Sequence, residues 1–415
     1  MSTVERLVTP ETVDQMPERI ARVREMVCDE TAKLLGLRYG TRMRALLLTG
    51  SLSRGEPALL VDGEDVKVLG DADLIAIFEE HTTLPEPQAM QWISRQAEME
   101  ARKRRVRCKI GVCAVHPSWL RNQRASIFAY ELFTSGTCVH GDHNVLSLIP
   151  RLSPSDIPLE DAWWTLCNRM IELLEVSCGE LGDTSHIPIS VEYRMSKLWL
   201  DMATSFLVFA GAYAPSYQQR RQILRTLADD SSFRSTWPFS LAEFSSTVSQ
   251  ATDWRSGLLE GSTPFGDWKR FCETVECAHA LWRWELCRLS GCQGDVWDGE
   301  LWEAWVRNRP ARQNVRGWLH LWREQGWHAS AQQLPHWLRL AFLASPRLWI
   351  YRIGSELFFQ LPALLSPEDK RFKAHLAKLS EWLPDHRSVR RARDWRHLGA
   401  ELVWNYNRFV VNTRS

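Results

Sequence analysis

Two aspartates, Asp71 and Asp73, stand one residue apart at the head of the apolar stretch "DADLIAIF". Side chains two residues apart on a β-strand project from the same face, so we expect the two carboxylates to lie side by side, with Ala72 and Leu74 on the other face. Neighbouring negative charges repel each other unless a positive charge lies between them. Because hard oxygen ligands suit Mg²⁺ and Mn²⁺, the pair predicts a site for one of these cations.

The dipeptide Gly50-Ser51 follows the apolar stretch "RALLLT" and could supply the complementary part of such a site. Glycine lets the backbone approach a ligand closely, and the free N–H groups of a helix start, together with the Ser51 hydroxyl, can hold phosphate oxygens. Arg54 lies in the same turn and could add a positive charge. A lone D-x-D is usually a solvated strand end, and a lone Gly-Ser is a weaker signal still. Their combination in this order predicts a site for a metal-bound triphosphate.

The first part of the chain predicts the elements that position these residues. Apolar residues recur three and four positions apart in two stretches, which predicts helices within residues 11–37 and 86–105. Short apolar stretches predict strands at 44–50, 71–78 and 106–117. Residues 58–69 are typical of a hairpin with its turn at Asp62-Gly63.

Tryptophan content divides the chain into two parts. Of the 21 tryptophans, only Trp92 and Trp119 precede residue 160, and a proline- and serine-rich stretch lies at the same place. Beyond it the tryptophans recur at helix-like intervals, which favours core packing between helices over a platform for a sugar or base. The sequence thus predicts an α+β fold. A small mixed-sheet domain would occupy residues 20–150, and an all-helical domain, large enough for two sub-bundles, residues 155–415.

The composition is that of an ordinary globular protein, with 45% hydrophobic and 24% charged residues and a net charge of +1. A net charge this close to zero does not favour a membrane surface or a long nucleic acid as a binding partner. The N-terminus has no apolar core of the kind that a secretion signal needs. The ten cysteines form no C-x-x-C pair, which predicts reduced thiols and a cytoplasmic protein.

The stretch "TGSLSRGE…GDADLIAIF" resembles the signature of the nucleotidyltransferase superfamily typified by DNA polymerase beta, in which Gly-Ser and a basic-Gly turn precede an acid-x-acid strand. The resemblance covers roughly residues 20–150, with the motif confined to 49–78. It implies transfer of a nucleoside monophosphate from an NTP, ATP being the expected one, with two divalent metals and release of pyrophosphate. Gly50 and Ser51 would then hold the β- and γ-phosphates, and Asp71 and Asp73 the metals.

The sequence departs from the family on the later strand. Members usually have a third carboxylate there, but "VRCKIGVCAV" contains no acid, and Lys109 occupies or adjoins the expected position. Three alternatives stay open: the enzyme works with two acids, a carboxylate from elsewhere such as Glu131 substitutes, or the site binds a nucleotide without turnover. Lys109 could also take the place of a cation.

Many members of the family also have a helical domain that closes over the nucleotide. The resemblance implies a nucleotide-binding role for Lys197, which lies on an otherwise apolar helix; an i,i+4 pair with Asp201 is the alternative. Asn168 and Arg169 are similar polar residues on another apolar helix.

A basic run occupies residues 102–107. It could form a phosphate- or RNA-contacting edge, but a solvated helix end is favoured, because positive charge there meets the helix dipole and no aromatic residues interleave.

These features predict a metal-dependent nucleotidyltransferase in the cytoplasm. Its acceptor would be a small molecule, a protein or an RNA end. The alternative from another class is a catalytically degenerate scaffold that binds a nucleotide or a partner.

Overall fold

The computed structural model describes residues 16–182, 186–230, 237–256, 264–292, 296–325, 327–365, 372–385 and 394–411. Contacts between Cα atoms divide the chain into two compact units. The first consists of the described parts of Met1–Asp161, Ala210–Asp229 and Ser245–Pro264, and the second of the described parts of Ala162–Phe209, Asp230–Phe244 and Phe265–Ser415. The first unit therefore includes two segments that lie well beyond residue 150.

The predicted α+β class is confirmed, with a five-stranded sheet near the N-terminus and helices after it. The N-terminal elements are α1 (Met16–Tyr39), β1 (Met43–Thr49), α2 (Gly50–Ser53), β2 (Leu59–Asp62), β3 (Asp65–Phe78), α3 (Pro87–Lys103), β4 (Val106–Val115), α4 (Pro117–Arg121), α5 (Ile127–Ser135) and β5 (Thr137–Gly141). The later helices are α6 (Leu159–Glu180), α7 (Ile189–Phe209), α8 (Tyr217–Asp229), α9 (Leu241–Arg255), α10 (Trp268–Ser290), α11 (Asp298–Arg307), α12 (Ala311–Gln325), α13 (Trp327–Ala341), α14 (Pro346–Phe359), α15 (Leu361–Leu364), α16 (Phe372–Ser380) and α17 (Trp395–Tyr406).

The strand β3 is the centre of a mixed sheet. It pairs antiparallel with β1 and β2 and parallel with β4, while β5 pairs antiparallel with β1. The predicted hairpin is confirmed as β2 and β3, but its second arm and the D-x-D strand, predicted as separate strands, are one strand. A bulge explains the difference: from Lys67 to Asp71 β3 advances four residues while β4 advances two, from 107 to 109.

Different helices cover the two faces of the sheet. The helices α1 and α3 pack against one face, where Leu48, Leu74 and their neighbours are buried. The helices α4 and α5 pack against part of the other face, where Leu120 and Leu132 contact the core around Ile75. Burial on both faces explains why these strands are nearly continuous apolar stretches.

The second unit is helical and rich in buried aromatic side chains. Trp163, Trp282, Trp302 and Trp349 are almost inaccessible to solvent, as expected of tryptophans that pack between helices. Gly291 has a φ of +71° and ends α10, a backbone conformation that glycine adopts readily. No helix in the described ranges has the length and apolarity needed to cross a bilayer.

Candidate active site

The two aspartates lie on the exposed part of one strand face. Asp71 and Asp73 are exposed, and they alternate with the buried Ala72 and Leu74. The alternation places both carboxylates on the face opposite α1 and α3, the face that α4 and α5 cover only in part. The side-by-side arrangement predicted from the spacing is the one that the strand adopts.

Pairing between β1 and β3 brings the Gly-Ser turn to the second aspartate. Thr49, the last residue of β1, is in register with Asp73. Gly50 follows with a φ of +73°, a left-handed conformation that glycine adopts without strain. A Cβ atom at Gly50 would lie 3.5 Å from Asp73 Oδ2. The turn and the acid pair therefore adjoin each other.

The neighbouring strand β4 also has a glycine beside this carboxylate. Gly111 is in register with Asp73, and a Cβ atom at Gly111 would lie only 3.2 Å from Asp73 Oδ1. Asp73 is thus flanked on β3's two neighbouring segments by residues without side chains. Gly111 was missed from the sequence, although a glycine inside a strand often marks a close approach by another group.

Lys109, predicted at the third position, lies beside the first aspartate. It is in register with Asp71, and its Nζ lies 3.5 Å from Asp71 Oδ2. The side chains of Lys109 and Asp71 are 78% and 51% exposed, so solvent screens this pair and it adds little stability. We name Asp71, Asp73 and Lys109 together the open acid face.

Ser51 lies in a short, well-anchored turn. The helix α2 has only four residues, and the carbonyl oxygen of Ser51 accepts a 2.8 Å hydrogen bond from the Glu56 backbone N–H. The Ser53 hydroxyl donates to the Ser135 carbonyl and lies 3.2 Å from Thr137 Oγ1. The end of α5 and the start of β5 therefore hold the turn in place.

Arg54, predicted to bind the nucleotide, has a side chain only 6% exposed. Its Nη1 donates to Glu131 Oε2 at 2.7 Å and its Nε donates to Glu56 Oε2 at 3.3 Å. Burial, the largest single influence, lowers the pKa of Arg54, but Glu131, Tyr217 and Glu56 together outweigh it and hold that pKa above its ordinary value. Arg54 and Glu131, the carboxylate considered as a substitute for the third acid, are bonded to each other.

Residues from a later segment complete this group. Arg220 on α8 is 2% exposed. Its Nη2 donates hydrogen bonds to Glu131 Oε1 and, at 2.8 Å, to the Tyr213 hydroxyl. The Tyr213 hydroxyl in turn donates to Glu131 Oε1 at 2.7 Å. We name Arg54, Glu56, Glu131, Tyr213 and Arg220 the buried ion-pair cluster. No signal in the sequence pointed to this cluster, because the three segments that form it, at residues 54–56, 131 and 213–220, lie far apart along the chain.

The carboxylate of Glu56 also caps α8. It accepts hydrogen bonds from the Ser216 hydroxyl at 2.7 Å, from the Tyr217 N–H at 3.1 Å and from the Gln218 N–H at 3.3 Å. A negative charge at the N-terminus of a helix satisfies free N–H groups and complements the helix dipole. This capping explains why α8 belongs to the same unit as the sheet.

The second unit contains the remaining predicted residues. Lys197 Nζ lies 3.9 Å from Glu172 Oε2, while Asp201 accepts a hydrogen bond from Arg169. The proposed pair of Lys197 with Asp201 is therefore not the one that forms. Asn168 accepts hydrogen bonds from the hydroxyls of two buried tyrosines of the same unit, which gives it a packing role.

A groove in the first unit is separate from the open acid face. It lies between α1, α2 and β5 and is lined by residues that include Arg24, Asp29 and Thr137. Neither Asp71 nor Asp73 lines it, so we do not assign the groove to the candidate site.

The donor set at the acid pair fits one divalent cation. Mg²⁺ commonly takes one or two carboxylates from the protein and fills its other positions with phosphate oxygens and water. Asp71 and Asp73 supply two such carboxylates on one exposed face. Among the residues that the structure describes, no three His, Cys, Asp or Glu side chains are grouped as metal ligands. A second firmly held ion would therefore need ligands from the substrate.

Neither the known protein-family models nor the curated protein sequences contain a match to this chain. The resemblance to nucleotidyltransferases accordingly depends on the Gly-Ser and D-x-D motif of the sequence alone.

Proposed function

We propose that the first unit binds a nucleoside triphosphate with Mg²⁺ or Mn²⁺ and transfers the nucleoside monophosphate to an acceptor. The observation that carries the proposal is the flanking of Asp73 by Gly50 and Gly111, with Asp71 beside it on the same face. This arrangement puts a backbone turn able to approach phosphate next to two carboxylates able to hold a cation.

Each residue has a role that its chemistry supports. Asp71 and Asp73 would hold the cation, which when bound withdraws negative charge from the phosphate oxygens. Gly50 and Ser51 would offer N–H and hydroxyl donors to the β- and γ-phosphates. Arg54, bonded to two carboxylates, would hold the turn in position instead of contacting phosphate. Lys197 lies in the second unit, and its role stays a prediction from the resemblance alone.

The transfer itself needs little covalent chemistry from the chain. An acceptor oxygen forms a bond to the α-phosphorus while the bond from that phosphorus to the oxygen bridging to the β-phosphate breaks. Pyrophosphate leaves with the electron pair, and an attacking hydroxyl loses its proton to solvent. ATP is the expected donor, and the acceptor is a small molecule or a protein. Ten free cysteines support the predicted cytoplasmic location.

One observation favours the second candidate function, a scaffold that binds a nucleotide without turnover. Lys109 stands 3.5 Å from Asp71, where a third acid would strengthen metal binding. Its positive charge opposes a second divalent ion at that position.

The test is incubation of the full chain with Mg²⁺ or Mn²⁺ and each labelled NTP, followed by detection of pyrophosphate and of labelled products, including the chain itself. Replacing Asp71 and Asp73 together by asparagine should abolish both turnover and metal-dependent nucleotide binding. The matched control replaces Asp62 and Asp65, two exposed acids of the hairpin, by asparagine and should leave both intact. Nucleotide binding without turnover would favour the scaffold, and normal binding by the Asp71 and Asp73 double variant would refute the site.

A further inference from the structure

Three exposed cations share the sheet face of the acid pair. Lys67 on β3 is in register with Arg107 on β4, and Lys109, two residues after Arg107, is in register with Asp71. The β4 residues that alternate with them are buried in the core against α1 and α3. Lys67, Arg107 and Lys109, which we name the cationic row, therefore lie on the opposite face, and the row ends beside Asp71 and Asp73.

The cationic row places like charges next to one another. Side chains at paired positions of neighbouring strands interact, and like charges there destabilise the sheet. Among the described residues, no carboxylate lies within 4 Å of the Lys67 or Arg107 charge; Asp65, two residues before Lys67 on β3, is the nearest acid along that strand. Among the three, Lys109 is the one with an ion pair to a described residue, at 3.5 Å from Asp71. A bound anion would remove the repulsion between Lys67 and Arg107.

We propose that the cationic row binds a phosphate group of the acceptor, so that the acceptor is a phosphorylated molecule. This inference rests on the proposed function, which supplies the donor nucleotide at Asp71 and Asp73. Arg107 can offer two N–H groups to two phosphate oxygens at once, while Lys67 and Lys109 act as compact charges. An acceptor held by the row would have its phosphate next to the acid pair, on the side away from Gly50.

The test uses inorganic phosphate as the probe. The full chain is first saturated with Mg²⁺ and an ATP analogue with a methylene bridge between the α- and β-phosphates, so that the nucleotide position is filled. Phosphate is then titrated and followed by ³¹P line broadening. We expect saturable binding, weakened at least about tenfold in Lys67→Ala/Arg107→Ala, because two charge-assisted contacts are lost. Both side chains are exposed, so this variant should fold normally.

A matched control removes two exposed cations from the last turn of α3. Arg102→Ala/Lys103→Ala makes the same change in net charge and should alter phosphate affinity less than about twofold, because solvent screens distant charges. Equal phosphate affinity in the wild type and in Lys67→Ala/Arg107→Ala would overturn the proposal. Absence of saturable phosphate binding by the wild type would overturn it as well.

Nucleotide binding measured in the same variants separates this inference from the proposed function. Lys67→Ala/Arg107→Ala should bind the Mn²⁺–nucleotide complex as the wild type does. If no variant binds that complex while phosphate still binds through Lys67 and Arg107, the proposed function fails and the anion site stands. If the complex binds normally but phosphate does not, the nucleotide site of the proposed function stands, and the cationic row is not an acceptor site.

Discussion

In the buried ion-pair cluster, each charged group has an opposite charge within hydrogen-bonding reach, as between Arg54 and Glu131 at 2.7 Å. On the open acid face, by contrast, Asp71 and Asp73 are exposed neighbouring like charges, and Lys109 contacts Asp71 at the longer distance of 3.5 Å. Both regions belong to the first unit. The charges of the cluster are paired within the fold, whereas those of the acid face are exposed to solvent.

The difference is between buried charges that stabilise the fold and exposed charges that contribute little to its stability. Removing one member of a buried pair strands the other in a poorly solvated place, which is strongly destabilising. Removing an exposed charge costs little stability and changes mainly what can bind. Substitutions should therefore change mainly stability in the cluster and mainly ligand affinity on the acid face. Three substitutions in these regions test this expectation, and a fourth, at a buried carboxyl of the second unit, extends it to a charge without a partner of opposite sign.

The largest effect is expected at a buried carboxyl without a counter-charge. Glu285 on α10 is completely buried, and burial raises its pKa to about 8. The folded state therefore holds this proton more tightly than the unfolded chain, and the free energy of unfolding falls as pH rises from about 4.5 to about 8. Glu285→Gln should abolish this fall. At pH 9 its free energy of unfolding, measured with urea, should be about 3 to 5 kcal/mol higher than that of the wild type.

Glu276, an exposed acid on the same helix, is the control for that comparison. Glu276→Gln should leave the pH dependence of unfolding unchanged. A parallel fall in stability between pH 5 and pH 9 for the wild type and Glu285→Gln would show that Glu285 does not titrate in this range.

The next largest effect is expected in the buried ion-pair cluster. Glu131→Gln removes the carboxylate shared by Arg54 and Arg220 and should cost about 3 kcal/mol of unfolding free energy. Glu64→Gln, which breaks the exposed pair with Arg105, should cost less than about 1 kcal/mol. Urea unfolding of both variants measures the difference. Similar costs for the two would mean that burial does not distinguish these pairs.

A smaller effect is expected at the glycine beside Asp73. Gly111→Ala puts a methyl group 3.2 Å from Asp73 Oδ1 and should weaken binding of the Mn²⁺–nucleotide complex by about tenfold, because the carboxylate must move. Gly36→Ala, where a Cβ meets nothing within 4 Å, should not change this binding. Isothermal titration compares them, and an unchanged affinity for Gly111→Ala would remove Gly111 from the site.

The smallest effect is expected at Lys109. Lys109→Gln removes a positive charge beside Asp71 and should strengthen binding of Mn²⁺ alone by about three- to tenfold, because like charges at this distance repel weakly in water. Electron paramagnetic resonance of free Mn²⁺ measures the change. Unfolding free energy should stay the same, and weaker Mn²⁺ binding would contradict the placement of the cation at Asp71.

Short-range patterns in the sequence predicted the local elements well. The alternation around Asp71 and Asp73 follows from the two-residue period of a strand, and the hairpin turn from Asp62-Gly63. The bulge that joins the hairpin to the D-x-D strand could not be predicted, because nothing local sets the register of β3 against β4. The strand β5 was also missed, since its short, half-exposed sequence has no apolar alternation.

Long-range pairing accounts for the rest of what was missed. Arg54 has the residue type and position expected of a phosphate ligand, and only the fold shows it bonded to Glu131. The link from Glu56 to α8 joins residues 160 positions apart, beyond the reach of any pattern. The proposed roles of Gly50, Ser51, Asp71 and Asp73 stay predictions until nucleotide binding is measured.

The cap that Glu56 places on α8 has a consequence for synthesis of the chain. A ribosome completes the sheet before it makes the helix that Glu56 and Glu131 need, and residues Ala162–Phe209 of the other unit emerge in between. Until that helix is made, the Glu56 and Glu131 carboxylates of the nascent sheet therefore lack some of their hydrogen-bond donors. A fragment cut after Asp161 would stay in that unfinished state, with Glu131 lacking Arg220 and Glu56 lacking a helix to cap.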